Sequence, residues 1–148
     1  MLKRVAIGVQ ALHERNIVHR DIKLENILVT KMSMDASVRI IDFGIAQKLE
    51  PNQYVNDMVG SLGYVAPEVF KREPYGLSAD IWSLGALMLA LTSGELPFHE
   101  DDEKELERRV CTEPLNLESS EETSSLSCEA KDLLHCMLRK CPQERINI

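Results

Sequence analysis

The run IWSLGALMLAL, residues 81–91, constrains the fold of this chain more than any other stretch. A helix on a protein surface carries one apolar stripe and one polar face. Here apolar residues fall on nearly every face, which implies burial on all sides at the centre of a fold. Ser78 is placed to cap the helix and Gly94 to stop it, so the pattern predicts a helix over 78–93. Trp82, Met88 and the leucines then belong to the core rather than to a cofactor stripe. Asp80 is the exception, because a carboxylate inside such a helix must find hydrogen-bond donors from elsewhere.

Other elements must wrap this centre. Leu2, Val5, Ile7, Val9 and Leu12, with polar residues between them, predict an amphipathic helix over roughly residues 2 to 14 and not a targeting segment. A polar loop follows at 19–26. The short β-branched runs ILV at 27–29 and VRII at 38–41 flank a polar stretch with Ser33, Asp35 and Ser37, and read as an antiparallel hairpin. Residues 44–66, with Gly44, Gly60 and Gly63 and no periodicity, read as a long loop, a feature typical of binding or switching segments. Residues 100–109 read as a solvated charge run and ESSEETSS at 118–125 as a polar connector. LSCEAKDLLHCMLRKC at 126–141 closes the chain as an amphipathic helix capped by Ser127.

With 148 residues, 44% of them hydrophobic and 28% charged, the chain fits one globular unit. Its net charge of −7 argues against nucleic acid or an anionic membrane as the main partner, since both reward clustered Lys and Arg. Basic partners are favoured instead. Cys111, Cys128, Cys136 and Cys141 form no C-x-x-C pair and read as reduced structural thiols. No apolar stretch is long enough to span a bilayer, so a soluble protein of the cytoplasm or nucleus is expected.

The hairpin carries the chemistry. In an antiparallel pair the start of one strand lies beside the end of the other, so Asn26 and Asp42 should converge at one sheet edge. They would supply hard oxygen ligands of the kind Mg²⁺ prefers, which makes a magnesium nucleotide the natural guest. Asp21 precedes this site, where a carboxylate can orient a hydroxyl and accept its proton. Lys23 can neutralise charge on a phosphoryl group in transit.

HRDIKLEN at 19–26, DFG at 42–44 and APE at 66–68, followed by DIWSLG at 80–85 and Arg145, resemble the catalytic lobe of a eukaryotic protein kinase, serine/threonine type. GSLGYVAPEV at 60–69 is most similar to the calmodulin-dependent and related kinases. The resemblance implies a mainly α fold with a small β-hairpin, the C-terminal lobe of a kinase domain. It implies Asp21 as catalytic base, Lys23 at the γ-phosphate, Asn26 and Asp42 as magnesium ligands, and Leu28 under the adenine of ATP. Gly60 and Ser61 match the loop that receives the substrate residue, with Ser where the family usually has Thr. Glu68 and Arg145 match a buried ion pair holding that loop, and Asp80 a group that binds the catalytic-loop backbone. His19 and Phe43 match stacked positions of a hydrophobic spine. Arg20 matches the residue that grips an activation-loop phosphate, and Asp57 stands where that phosphate usually sits. Glu25 matches a glutamate that pairs with a substrate Arg, but its usual partner is here Ala90, which implies a modest preference for basic residues near the target Ser or Thr.

The resemblance also implies parts that these residues do not include: the Gly-rich loop, the strand Lys and helix Glu of the small N-terminal lobe, and the final helix of the large lobe. Residues 1–148 are therefore expected to form a partial kinase domain, inactive by itself. The alternative is a kinase-lobe fragment that binds substrates or regulators without catalysis.

Overall fold

The computed structural model describes residues 1–30, 37–118 and 120–148. Its helices are α1 (Leu2–His13), α2 (Pro67–Phe70), α3 (Ser78–Ser93), α4 (Glu103–Thr112), α5 (Glu121–Ser124) and α6 (Cys128–Met137). Helix α3 is the centre that its composition demands: every residue from Ala79 to Leu89 is buried. It packs against α1, α5 and α6, while α2 packs on α4. Gly85 lets α6 come close, since a Cβ there would lie 3.0 Å from Met137 Cβ and from Leu138. Gly94 ends α3 in the left-handed conformation, with φ of 78°.

The start of α3 differs from expectation. Leu77 already has helical angles, and Ser78 is the first helical residue with no capping bond from a side chain. The first amides instead close tight turns, Ala79 N–H to Gly76 O at 3.2 Å and Asp80 N–H to Leu77 O at 3.1 Å. With those donors satisfied, the Ser78 hydroxyl has no capping task.

Helix α1 buries Val5 and Val9 and leaves Ile7 exposed. The hairpin forms as expected, β2 (Ile27–Val29) against β3 (Val38–Ile40), with Ile27 opposite Ile40 and Val29 opposite Val38. Its connection, with Ser33 and Asp35, lies outside the described residues. A second antiparallel ladder, Ile17–Val18 (β1) against Gln47–Lys48 (β4), was not foreseen. Two-residue strands are too short to show alternation. Among the described residues the fold is thus mostly helical with two small sheets.

Three stretches correct the sequence reading. Residues 44–66 are tethered rather than a free loop: β4 pairs with β1, Val55 bridges to Tyr75, and Leu62–Tyr64 form a 3₁₀ turn. The charge run at 100–109 continues into α4, capped by Asp102 and anchored by buried Leu106 and Val110. Two apolar residues at i, i+4 are enough to dock one helical face. Within 118–125, Ser120 caps α5, which buries Thr123, whereas Ser119 lies outside the described residues. Ser127 caps α6 as expected, but the helix ends at Met137. The four cysteines are free thiols, and among the described residues no helix is long and apolar enough to cross a membrane.

Candidate active site

The loop at 19–26 is fixed to the centre of the fold by Asp80, which is wholly buried on α3. Its Oδ2 accepts the His19 backbone N–H at 2.8 Å and its Oδ1 that of Arg20 at 2.9 Å. His13 Nε2 lies 3.0 Å from Oδ2. Arg20 adopts φ of 69°, a left-handed conformation that a non-glycine residue holds only when its surroundings enforce it. Asp21 follows directly.

Three side chains converge on Asp21. The Ser61 hydroxyl donates to Oδ1 at 2.8 Å, Lys23 Nζ lies 3.0 Å from Oδ2, and Asn26 Nδ2 donates to Oδ2 at 2.9 Å and to the Asp21 carbonyl at 2.8 Å. Lys23 Nζ also donates to Ser61 Oγ at 2.7 Å. Burial pushes the Asp21 carboxyl up, but the hydrogen bonds from Ser61, Lys23 and Asn26 and the Lys23 charge outweigh it and hold the carboxyl below its ordinary value. The hydrogen bond to Asp21 raises the Lys23 ammonium in turn. Both groups stay charged at neutral pH.

The hairpin register puts Asn26 opposite Ile41, whose N–H donates to the Asn26 carbonyl at 2.9 Å, so Asp42 stands one residue beyond. Asp42 is exposed, has φ of 62°, and accepts the Gly44 N–H at 3.1 Å. His19 and Phe43 meet edge-on rather than stacked, ring centres 4.9 Å apart at 69°. Leu24, Leu28, Ile41 and Phe43 are each exposed apolar side chains, and Glu25 is exposed.

The segment bearing Ser61 is held from both ends. Gly60 has φ of 107°, and a Cβ there would lie 2.6 Å from the Arg20 carbonyl oxygen, so only glycine permits this approach. Upstream, Arg20 donates through Nη1 to Asp57 Oδ2 at 2.9 Å and through Nε to the Ile45 carbonyl at 2.6 Å. The Arg20 hydrogen bond, opposed by a little desolvation, lowers the Asp57 carboxyl. Tyr75 donates its hydroxyl to the Asp57 carbonyl at 2.9 Å. Downstream, Ser83 of α3 donates to the Tyr64 carbonyl at 2.8 Å.

Glu68 and Arg145 form a separate buried cluster. Arg145 donates to both Glu68 oxygens, at 2.5 and 2.6 Å, and to the carbonyls of Arg139, Ser78 and Lys140. Its guanidinium also faces the Trp82 ring at 5.2 Å. Sequence reasoning missed His13, Tyr75 and Ser83, which act across 18 to 67 residues of chain with no local pattern to announce them.

Among the described residues no group of three or more His, Cys, Asp or Glu side chains is arranged to hold a metal by itself. The donor set nonetheless suits a hard cation shared with a substrate. The Asn26 amide nitrogen is committed to Asp21, which leaves its Oδ1 as the end able to ligate, and Asp42 offers an exposed carboxylate one residue past the position opposite Asn26.

The family model for the protein kinase domain matches residues 1–148. The chain is 39% identical over 150 residues to serine/threonine-protein kinase PLK4 of Drosophila persimilis, covering 100% of this chain and 18% of that protein. It is 35% identical over 143 residues to serine/threonine-protein kinase ATG1b of Arabidopsis thaliana, covering 97% and 20%. It is 39% identical over 146 residues to calcium-dependent protein kinase 1 of Oryza sativa subsp. japonica, covering 99% and 28%. The chain thus spans less than a third of the length of these relatives. Matched along its whole length by the kinase-domain model and by serine/threonine kinases at these identities, the chain belongs to the eukaryotic protein kinase superfamily, on its serine/threonine side.

Proposed function

We propose that residues 1–148 form the large, substrate-facing lobe of a serine/threonine kinase domain, and that the intact protein transfers the γ-phosphoryl group of Mg-ATP to Ser or Thr of protein substrates. The carrying observation is the Ser61 hydroxyl, which donates to Asp21 Oδ1 while accepting from Lys23 Nζ. That is the environment an attacking hydroxyl needs: a carboxylate to orient it and take its proton, and a cation beside the oxygen that gains the phosphoryl group.

In this reading Asp21 is the base. Its depressed pKa makes it an orienting group that accepts the proton late, as P–O bond formation acidifies the hydroxyl. Lys23 faces the transferring phosphoryl group, and Asn26 and Asp42 would hold magnesium, which supplies charge neutralisation on the phosphates when bound. Leu28 offers an exposed apolar side chain suited to the face of a base such as adenine. Gly60 and Ser61 receive the substrate, Glu25 accepts a basic residue near the target, and Glu68 with Arg145 anchors the receiving segment. The Arg20–Asp57 pair holds the activation segment with a carboxylate where relatives use a phosphate, so loop order does not depend on phosphorylation.

The test is phosphate incorporation from γ-labelled Mg-ATP into a protein substrate by the intact protein. Transfer to Ser or Thr that falls by at least about 10²-fold in Asp21→Asn and in Asp42→Asn is expected. No transfer by the intact parent, with substrate binding retained, would favour the non-catalytic reading instead.

A further inference from the structure

The loop that leaves α3 is held in one shape from several sides. Gly94 turns the chain out of the helix in the left-handed conformation, and the Glu95 N–H donates to the Ser93 hydroxyl at 3.3 Å. Leu96 packs onto Gly63, where a Cβ would lie 2.5 Å from its side chain. Phe98 is buried, stacks on Trp82 with ring centres 6.3 Å apart, and is covered by the Lys140 ammonium at 3.9 Å. Arg109 of α4 donates to the His99 carbonyl at 3.0 Å. A loop tied at so many points presents its side chains with little ordering cost on binding.

Residues 94–97, His99 and Arg109 line an open pocket of about 530 Å³. Glu95 is its unbalanced charge. The half-buried carboxylate accepts the Ser120 hydroxyl at 3.0 Å and, among the described residues, has no cationic partner. Arg109, the cation that lines the pocket, is already met by Glu100 at 2.5 Å and by Glu113 at 2.8 Å. A carboxylate fixed by one neutral donor still gains from a cationic one, and partial burial screens that attraction less than full exposure would.

The pocket borders the segment that receives substrate in the kinase reading. Gly63, on which Leu96 packs, is two residues from Ser61, and Glu95 adjoins Leu96 in the chain. The path from Ser61 through Gly63 and Leu96 to Glu95 keeps the two ends within about 20 Å, or about six residues of extended peptide. We infer that Glu95 is a specificity-determining residue: it accepts an arginine or lysine side chain that the protein substrate carries a few residues from its target Ser or Thr. The inference deepens the kinase reading and rests on it for the effect on turnover. It makes Glu95 a second acceptor, separate from Glu25.

The experiment measures kcat/KM of the intact protein for serine peptides that are otherwise alanine-rich, with one Arg moved through about six positions on either side of the target. Arg at one position should exceed the all-alanine peptide by about 5- to 30-fold, the scale of a hydrogen bond to a charged group, chiefly through KM. Glu95→Gln keeps an acceptor for Ser120 and removes the charge, so that ratio should fall to within about twofold of unity. Glu95→Lys should turn the preference at the same position from Arg to Glu, whereas Glu25→Gln should lower the ratio at a different position. An Arg preference that survives Glu95→Gln would overturn the inference, as would the absence of any preference above about twofold, or a Glu95→Lys variant that gains nothing from Glu. If the intact parent transfers no phosphate to any peptide, the kinase reading falls, and fluorescence anisotropy of the same labelled peptides still decides the role of Glu95. Tighter binding of one Arg peptide to the parent than to Glu95→Gln supports it, and equal binding refutes it.

Discussion

Removing Arg145 should cost more stability than any other single side-chain change at the candidate site. Arg145 and Glu68 are 4% and 2% exposed, so neither charge has water to fall back on. Breaking a buried pair by deleting one partner typically costs about 3–5 kcal/mol, because the survivor is left as an uncompensated charge. In Arg145→Met the two Glu68 oxygens lose their donors, and the carbonyls of Arg139, Ser78 and Lys140 lose theirs. Against a domain stability of about 5–15 kcal/mol, the variant should sit near the edge of unfolding. With a urea slope of about 2 kcal/mol per molar, the midpoint should fall by about 2 M. Trp82, the only tryptophan in this sequence, packs against the guanidinium and reports the transition by fluorescence. Adding Glu68→Leu to Arg145→Met removes the stranded charge, so the double variant should recover part of the loss, short of full recovery because the Arg139 and Lys140 carbonyls still lack the donor that Arg145 gave them. An Arg145→Met cost below about 1 kcal/mol, or a double variant costing the sum of its singles, would refute this account of the pair.

The Arg20–Asp57 contact predicts that phosphatase treatment leaves the intact protein active and that Asp57→Ala reduces activity several-fold; full loss on dephosphorylation, or a fully active Asp57→Ala, counts against it. Lys140 lies against Phe98 and Trp82 and donates to the Val110 carbonyl, and burial pulls its amine down to about 8. Between that value and the ordinary 10.5 the unfolded chain binds the extra proton, so stability should rise as pH increases from about 8 towards 10, and Lys140→Met should flatten the rise in urea titrations at several pH values. With Leu28 and Phe43 each about half exposed, residues 1–148 expressed alone should self-associate with rising concentration, and Leu28→Gln should weaken this in sedimentation; a parent that stays monomeric would contradict it.

The elements legible in the sequence were those with a period or a sharp break. The all-round apolar character of 81–91 placed α3 at the centre, and the hairpin register brought Asn26 to within one residue of the position opposite Asp42. Asp80 was legible as a buried acid in need of donors, but its donors were not, since His13 approaches from 67 residues away. The ladder between β1 and β4 escaped notice because two-residue strands carry no pattern, and α4 was hidden because charged residues outnumber its two anchors, Leu106 and Val110. The Ser78 cap failed because Leu77 had already begun the turn, a choice set by the Gly76 and Leu77 carbonyls and invisible in composition. Of the candidate site, the Asp21, Lys23 and Asn26 cluster follows from close spacing, whereas Ser61 reaches it only through the path of the tethered segment.

Helix α3 holds the Asp21 loop through Asp80, the Ser61 segment through Ser83, and Arg145 through the Ser78 carbonyl. These attachments span six residues, or about 7.5 Å of helix axis. The helix is thus a shared datum, and a shift along its axis carries all three attachments by the same amount. Such displacement is common-mode: it leaves the spacing between Asp21 and Ser61 unchanged. A change that tilts α3 would translate residues 78, 80 and 83 unequally and would be felt at once.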